Sequence, residues 1–348
     1  MHKRGWDWLL FMAILAIGAI SLLVIFALDK NLAQTQLIFW FIGLVIFFLI
    51  SNVDFQIWQK LAVPFYILTL ILLGLVLLFG EPIRGSVRWI DLGILRFQPS
   101  EIAKVATILI LAVFFKERGA SGFFRLLSSL VIITLPVILI VLEPDIGNTL
   151  AFFAIWLGIV VISGFDLRKL LAVLLIIVLG AIFALRFLAP YQKARIESFL
   201  NPTSDPLGTG YSLIQSKIAV GSGMFFGRGL GRGSQTQLRF LPEPESDFIF
   251  ASVSEQLGFI GASLLLILFG FFILRINSSV TVSRFGQLVI VGTISYLSLQ
   301  LLVNIGMNMG MVPVTGITLP LVSYGGSSLI STLFLLGIVF SIKRYAVE

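Results

Sequence analysis

The chain is 348 residues long, 58% hydrophobic and only 12% charged. Soluble folds carry about 25% charged residues, so this composition excludes a string of soluble domains and fits a polytopic membrane protein, with apolar content for about ten crossings of about 20 residues. The net charge of +7 then points to positive-inside loops and anionic lipid rather than nucleic acid, while the lack of cysteine and the single histidine, His2, exclude disulfides, thiolate metal sites and intramembrane histidine chemistry.

In chain order, apolar spans are predicted at about 8–28, 36–51, 61–79, 100–115, 126–142, 149–163, 169–188, 248–274, 286–305 and 325–342. The first follows His2, Lys3 and Arg4 but is too long for a signal-peptide core and has no small-residue cleavage site, so it reads as a retained helix. With the N-terminus inside, twelve basic residues fall in inner short segments, among them Lys3, Arg4, Lys116, Arg118, Lys343 and Arg344. Four fall in outer short loops: Lys30, Arg84, Arg88 and Arg96. That bias places both termini in the cytoplasm. The expected fold class is all-α, a single transmembrane domain over 1–348 with about ten transmembrane helices. One large extracytoplasmic loop, about 189–246, joins helices 7 and 8.

Between the third and fourth spans, GEPIRGSVRWIDLGILRFQP (80–99) reads as a long outer loop with three arginines. The purely apolar run of the fourth span, 105–115, covers about 16 Å, too short for a ~30 Å core. The helix is therefore predicted to begin near Pro99 and Ser100, with Ser100 as its N-cap. That draws Glu101 and Lys104 into the outer leaflet on one helix face. They read either as a self-satisfied ion pair or as part of a site, and ionisable groups in a span more often mark function.

EPDIGN (143–148) reads as an outer turn, with Asp145 capping the sixth span. GSGMFFGRGLGRG (221–233) has no strand before it and so is no dinucleotide fingerprint; a flexible or anion-cradling loop is expected. The eighth span opens PEPESDFIFASVSEQLG, with Asp247 at its outer mouth and Glu255 two turns deeper. Asp247 reads as a helix cap or as a general base, because the like charges of Glu243, Glu245 and Asp247 should raise at least one pKa. Glu255 reads as a structural partner for a polar group. The uncharged stretch 306–324 is broken by Gly and Pro, and SYGGSS (323–328) opens the last span. Its glycines suit a backbone anion nest or close helix packing.

These features share the outer side, together with Lys193, Arg195, Lys217, Arg228, Arg232 and Arg239. A cationic outer surface beside Gly-interrupted apolar segments suits an amphiphile with an anionic head and a long tail. The residues alone thus indicate a lipid-linked phosphate substrate, processed or moved at the outer leaflet.

Four separated motifs carry a resemblance: RGSVRWIDLGILRFQPSEIAK (84–104), EPDIGN, the stretch 201–250 ending in PEPESDFIF, and NIGMNMGMVPVTGITLPLVSYGGSSL (304–329). In these the chain closely resembles the SEDS family (shape, elongation, division and sporulation), the RodA/FtsW cell-wall proteins. Its short tails look more like the RodA branch. It departs from many relatives, which have paired glutamates, in reading Glu255-Gln256.

The resemblance implies a peptidoglycan glycosyltransferase of the bacterial plasma membrane that polymerises lipid II at the outer face for cell elongation and shape. By similarity Asp247 is the catalytic base on the acceptor 4-hydroxyl. Arg88 and Lys104 are expected on the pyrophosphate, with Glu101 orienting Lys104. Arg195, Lys217, Ser323, Gly325 and Gly326 complete the expected substrate-binding set. A divalent cation, Mg2+ or Mn2+, could share that work, although no metal site is defined. The implied partner is a class B penicillin-binding protein. Competing readings are a lipid II flippase, which suits charged groups in broken helices, and a non-catalytic scaffold, which leaves the outer cationic surface unexplained.

Overall fold

A computed structural model describes residues 5–83, 86–91, 93, 96–117, 122–184, 190–278 and 283–345. Lys3, Arg4, Arg84 and Arg118, used above to weigh the topology, lie outside the described residues. The elements begin α1 (Trp8–Leu28), α2 (Lys30–Ser51), α3 (Phe55–Phe79), β1 (Glu81–Ile83), β2 (Ser86–Asp91), β3 (Arg96–Phe97) and α4 (Pro99–Lys116). They continue α5 (Phe123–Leu142), α6 (Ile146–Ile162), α7 (Leu167–Ala184), α8 (Pro190–Leu200), α9 (Tyr211–Ser222) and α10 (Ser234–Gln237). Last come α11 (Ile249–Asn277), α12 (Arg284–Met309) and α13 (Gly326–Tyr345). Each predicted span falls on one helix, namely α1 to α7 and α11 to α13, with 185–188 of the seventh span lying outside the described residues. Among the described residues, seven helices are long and apolar enough to cross a membrane.

Helix starts follow local chemistry. Asp29 accepts from the N–H groups of Asn31 and Leu32, and Asp54 from that of Gln56. Both satisfy first-turn donors that have no partner within the helix. These caps start α2 and α3 at Lys30 and Phe55, a turn or more before the predicted spans, because polar first turns lower local hydropathy without weakening a helix. α4 corrects one expectation: its N-cap is Gln98, without a side-chain cap bond, and Pro99 opens the helix. Proline suits that first position, which leaves Ser100 inside the helix.

The predicted 80–99 loop, and with it a strictly all-α fold, is corrected by a small antiparallel sheet of order β1-β2-β3. Glu81 pairs with Trp89, and Ile90 with Phe97. β-Branched and aromatic residues at Val87, Trp89, Ile90 and Phe97 favour strands, and Gly93, between β2 and β3, adopts φ 84°. A search for long apolar runs cannot see strands this short.

α4 is the central helix, packed against α3, α6, α12 and α13. Being buried on nearly every side, it tolerates a short apolar run, since protein rather than lipid surrounds its polar first turn. α13 packs along α2, and α11 against α1 and α9. The outer faces stay apolar, with Phe41, Phe79 and Leu274 all exposed, as a lipid-facing surface requires. At one end of the bundle Asp7 pairs with Arg275 and Lys343, each at 2.9 Å. The described chain ends therefore meet on one side, as an even number of crossings demands.

The segment between α7 and α11 is not an open loop, since it folds into α8, α9 and α10. The expectation for 221–233 is also corrected. Its backbone amides are spent on α11: Arg228 N–H donates to Glu255 O at 2.8 Å and Gly229 N–H to Gln256 O at 3.1 Å. Phe259 and Ile260 in turn donate to the carbonyls of Met224 and Phe225. The partners flank Gly258, a non-helical residue inside α11 at φ 67°. The loop thus repairs a helix break, and these amides are not free to cradle an anion.

Candidate active site

One cavity of about 910 Å3 gathers most of the predicted site. Arg88, Arg96 and Glu101 line it from the sheet and α4, and Asp145 and Asn148 from the start of α6. Arg195 comes from α8, and Glu243, Glu245 and Asp247 from the segment before α11. Gly325 and Gly326, at the start of α13, complete the wall. Lys217 and Ser323 are not on it. Lys217 is exposed on α9 beside Gly310. Ser323 is buried and ties two segments, donating to Ser246 O at 2.7 Å and accepting from Leu319 N–H at 2.8 Å.

Asp247 is partly exposed on the wall. The N-cap of α11 is Phe248, which makes no side-chain cap bond, so Asp247 does not serve as that cap. Its backbone carbonyl accepts from Asn304 Nδ2 at 3.0 Å and from Asn308 Nδ2 at 3.1 Å. Asn304 also donates to Ile317 O at 2.7 Å. Asn304 therefore ties Asp247 to the 315–318 segment, where Gly316 adopts φ 74°, and Asn308 holds the same carbonyl from the next turn. Sequence reading missed both asparagines; the signal was their spacing of four, which puts them on one helix face.

Lys104 corrects another expectation. Its side chain is fully buried, with Nζ 2.7 Å from Glu101 Oε1, 2.9 Å from Asn148 Oδ1 and 4.9 Å from the centre of the Tyr296 ring. The ammonium is thus enclosed by its partners and does not line the cavity. Glu101 faces the cavity, and its other oxygen lies 3.4 Å from Ser331 Oγ and 3.5 Å from Tyr296 Oη. The pair is self-satisfied, and of the two only Glu101 lines the cavity.

Arg88 reaches across to EPDIGN. Its guanidinium donates to Glu143 O at 2.9 Å and to Pro144 O, and lies 3.4 Å from Asp145 Oδ2. Asp145 caps α6 through Asn148 N–H at 3.1 Å, as predicted. This turn, read from sequence as structural, also shapes the cavity. Glu143 is 1% exposed and neither carboxyl oxygen has a hydrogen-bond partner. Burial, then the charge of Asp145, push its pKa up to about 8 against the pull of Arg88. Burial pushes the Glu245 carboxyl up, helped by the charges of Glu243 and Asp29 and opposed by Arg239.

Glu255 is fully buried and accepts from the N–H groups of Gln235 at 2.9 Å and Thr236 at 3.0 Å. It therefore holds the start of α10, the structural role expected for it. Gln256 at the neighbouring position accepts from Gly231 N–H at 3.3 Å.

No three Asp, Glu or His side chains converge to hold a metal among the described residues. The side chains thus offer no cage of their own to a resident Mg2+ or Mn2+, which would need substrate phosphates to complete its octahedron. What the cavity does offer is a carboxylate on a rigid mount, three arginines, and the N-terminus of α13. First-turn amides there have no intrahelical acceptor and favour anions. Gly325 faces open space there, with nothing within 4 Å of where a Cβ would stand.

Residues 6–348 match the family model described as cell cycle protein, which covers FtsW, RodA and SpoVE. The chain is 39% identical over 322 residues to stage V sporulation protein E of Bacillus subtilis (strain 168), covering 90% of this chain and 87% of that one. It is 40% identical over 307 residues to peptidoglycan glycosyltransferase MrdB of Escherichia coli (strain K12), covering 87% and 83%. Among solved structures, a chain from work on the structural coordination of polymerization and crosslinking by a peptidoglycan synthase complex superposes with a TM-score of 0.84. That match has 34% identity and covers 97% of this chain and 98% of that one. The rod shape determining protein RodA of Thermus thermophilus gives a TM-score of 0.76 at 29% identity, covering 99% and 98%.

Proposed function

This chain belongs to the FtsW/RodA/SpoVE family, and we propose that it is a peptidoglycan glycosyltransferase that polymerises lipid II at the outer face of the bacterial plasma membrane. One observation carries the reading: a single cavity presents the Asp247 carboxylate together with Arg88, Arg96, Arg195 and the glycines at the start of α13. That combination suits a sugar acceptor and a lipid-linked pyrophosphate held side by side. We take α4, α6 and α7 as crossings alongside the seven long apolar helices, which gives ten and leaves the cavity outside.

In this reading Asp247 accepts the proton of the acceptor 4-hydroxyl as that oxygen bonds to the anomeric carbon of the growing chain. The bond from that carbon to the pyrophosphate oxygen breaks, configuration inverts, and undecaprenyl pyrophosphate departs with the electron pair. Because the leaving group is already good, positioning and charge neutralisation supply most of the acceleration. Arg88, Arg96 and Arg195 neutralise the pyrophosphate, aided by the α13 amides. Glu101 lines the cavity, and Lys104 holds Asn148 rather than gripping phosphate. Glycan strands made here would pass to a class B penicillin-binding protein for cross-linking, a reading supported by the likeness to a chain of a peptidoglycan synthase complex.

The test is polymer formation. Purified protein in detergent, alone and with its class B partner, is incubated with labelled lipid II, with and without Mg2+ or Mn2+. A glycan ladder is expected on a gel, and Asp247→Asn should abolish it. A variant that polymerises at the parent rate would remove Asp247 as the base. A flippase makes no ladder in detergent, where sidedness is lost.

A further inference from the structure

On α12, Tyr296, Gln300, Asn304 and Asn308 recur every four residues and so share one helix face. Three of the four are committed. Tyr296 lies against Lys104 and Glu101, and Asn304 and Asn308 hold the Asp247 carbonyl. Gln300 is different. It lies on the cavity wall, is only 1% exposed, and its Oε1 has no hydrogen-bond partner.

An unpaired carboxamide in the middle of a long apolar helix is costly, and a buried polar group left unsatisfied in a native fold calls for an explanation. Its position supplies one. At 1.5 Å per residue, Gln300 stands about 6 Å along α12 from Tyr296 and about 6 Å from Asn304. It therefore lies between the Glu101–Lys104 pair and the mount of Asp247. A carboxamide carries no charge, accepts through its oxygen and donates through its NH2, which matches the paired donor and acceptor character of a sugar hydroxyl or acetamido group.

We propose that Gln300 is a sugar-reading residue whose carboxamide hydrogen-bonds a hydroxyl or acetamido group of the saccharide bound in this cavity. The inference rests on the glycosyltransferase reading for the identity of the saccharide. It adds a contact that distinguishes the sugar from its lipid pyrophosphate carrier. A site built to pair with a polar substrate group discriminates strongly against a ligand lacking that group, because its own buried atom is then left unpaired.

The experiment uses the full chain in detergent, parent and Gln300→Met, with two ligands: lipid II, and undecaprenyl pyrophosphate, which lacks the sugars. Each ligand is titrated against thermal melting. Without ligand, Gln300→Met should melt at the parent temperature or above, since an apolar side chain of similar length replaces an unsatisfied one. Lipid II should bind the variant about tenfold more weakly, while undecaprenyl pyrophosphate binds both alike. The proposal is overturned if lipid II binds the two proteins within twofold, if both ligands weaken equally, or if the unliganded variant melts lower. A glycan gel run in parallel separates this from the broader reading. Sugar-dependent loss in a protein that makes no polymer would sink the polymerase reading and leave the subsite standing.

Discussion

Asn304 and Asn308 bind the backbone of Asp247 rather than its carboxylate, so their effect on chemistry runs through geometry. Asn308→Ala removes a donor to Asp247 O and the acceptor of Ala251 N–H, 2.9 Å away. The expected result is a loss of about 1–3 kcal/mol in stability and a fall in kcat for polymerisation with KM little changed. Steady-state kinetics beside a melting curve test it, and a rise in KM alone would contradict the positioning role. Glu143 makes a different prediction. Its carboxyl is raised from the ordinary 4.5 to about 8 in the folded protein, so the fold holds a proton that the unfolded chain releases. That stabilisation is complete below pH 4.5 and declines as pH rises to about 8. Glu143→Gln, neutral at every pH, should flatten melting temperature against pH over that window and exceed the parent at pH 9. Parallel curves for the two proteins would show that Glu143 ionises normally. In sequence, Asp247, Glu101 and Arg88 stood out because charge is rare in this chain. The asparagines, Gln300 and the enclosure of Lys104 depend on which face each helix presents, and that is decided by neighbours far away in the chain.

At the scale of elements, the junction of α11 with 221–233 shows how a broken helix is kept whole. Gly258 and Gly227 both adopt positive φ, and a Cβ on Gly258 would overlap the Gly227 backbone. Gly258→Ala must therefore push the loop away and break the hydrogen bonds that Arg228, Gly229, Phe259 and Ile260 donate across the junction. We expect a loss of about 3 kcal/mol or more, read as a lower melting temperature and new proteolytic cleavage within 221–233. Intact resistance to protease would argue that the loop docks by its side chains alone. The helices themselves were legible, because runs of apolar residues long enough for a bilayer have few other uses. Their starts were not, since Asp29 and Asp54 cap polar first turns that hydropathy discards. The three short strands, and α9 and α10, escaped for a related reason: their stability comes from docking on α11 and the cavity rim, not from any periodicity of their own.

For the whole molecule, charge is sorted to the two ends of the bundle. One end carries the cavity, and the other end joins Asp7, Arg275 and Lys343 into a clamp between the start of α1 and the ends of α11 and α13. Gly326 and Lys343, at opposite ends of α13, stand about 25 Å apart at 1.5 Å per residue. Burial by itself would raise the Asp7 pKa, but the bonds from Lys343 and Arg275 outweigh it and hold the carboxyl below its ordinary value. With a depressed folded pKa, the clamp stabilises above the unfolded value and is lost as pH falls through the lowered one. Net basic charge in the sequence foretold cationic ends but not this pairing, which joins residues more than 300 positions apart. Asp7→Ala leaves the nearly buried Lys343 ammonium without its carboxylate, and should cost about 1–3 kcal/mol after allowance for the exposure of Arg275. Because the clamp and the cavity sit at opposite ends, polymerisation per folded molecule should stay within about twofold of the parent at temperatures below melting. The stability difference between the two proteins should be full at pH 7 and shrink as pH falls below 3.8 through the lowered folded value, which melting curves across that range will show. A large loss of activity without a loss of stability would mean instead that the two ends of the bundle are coupled through α11 and α13.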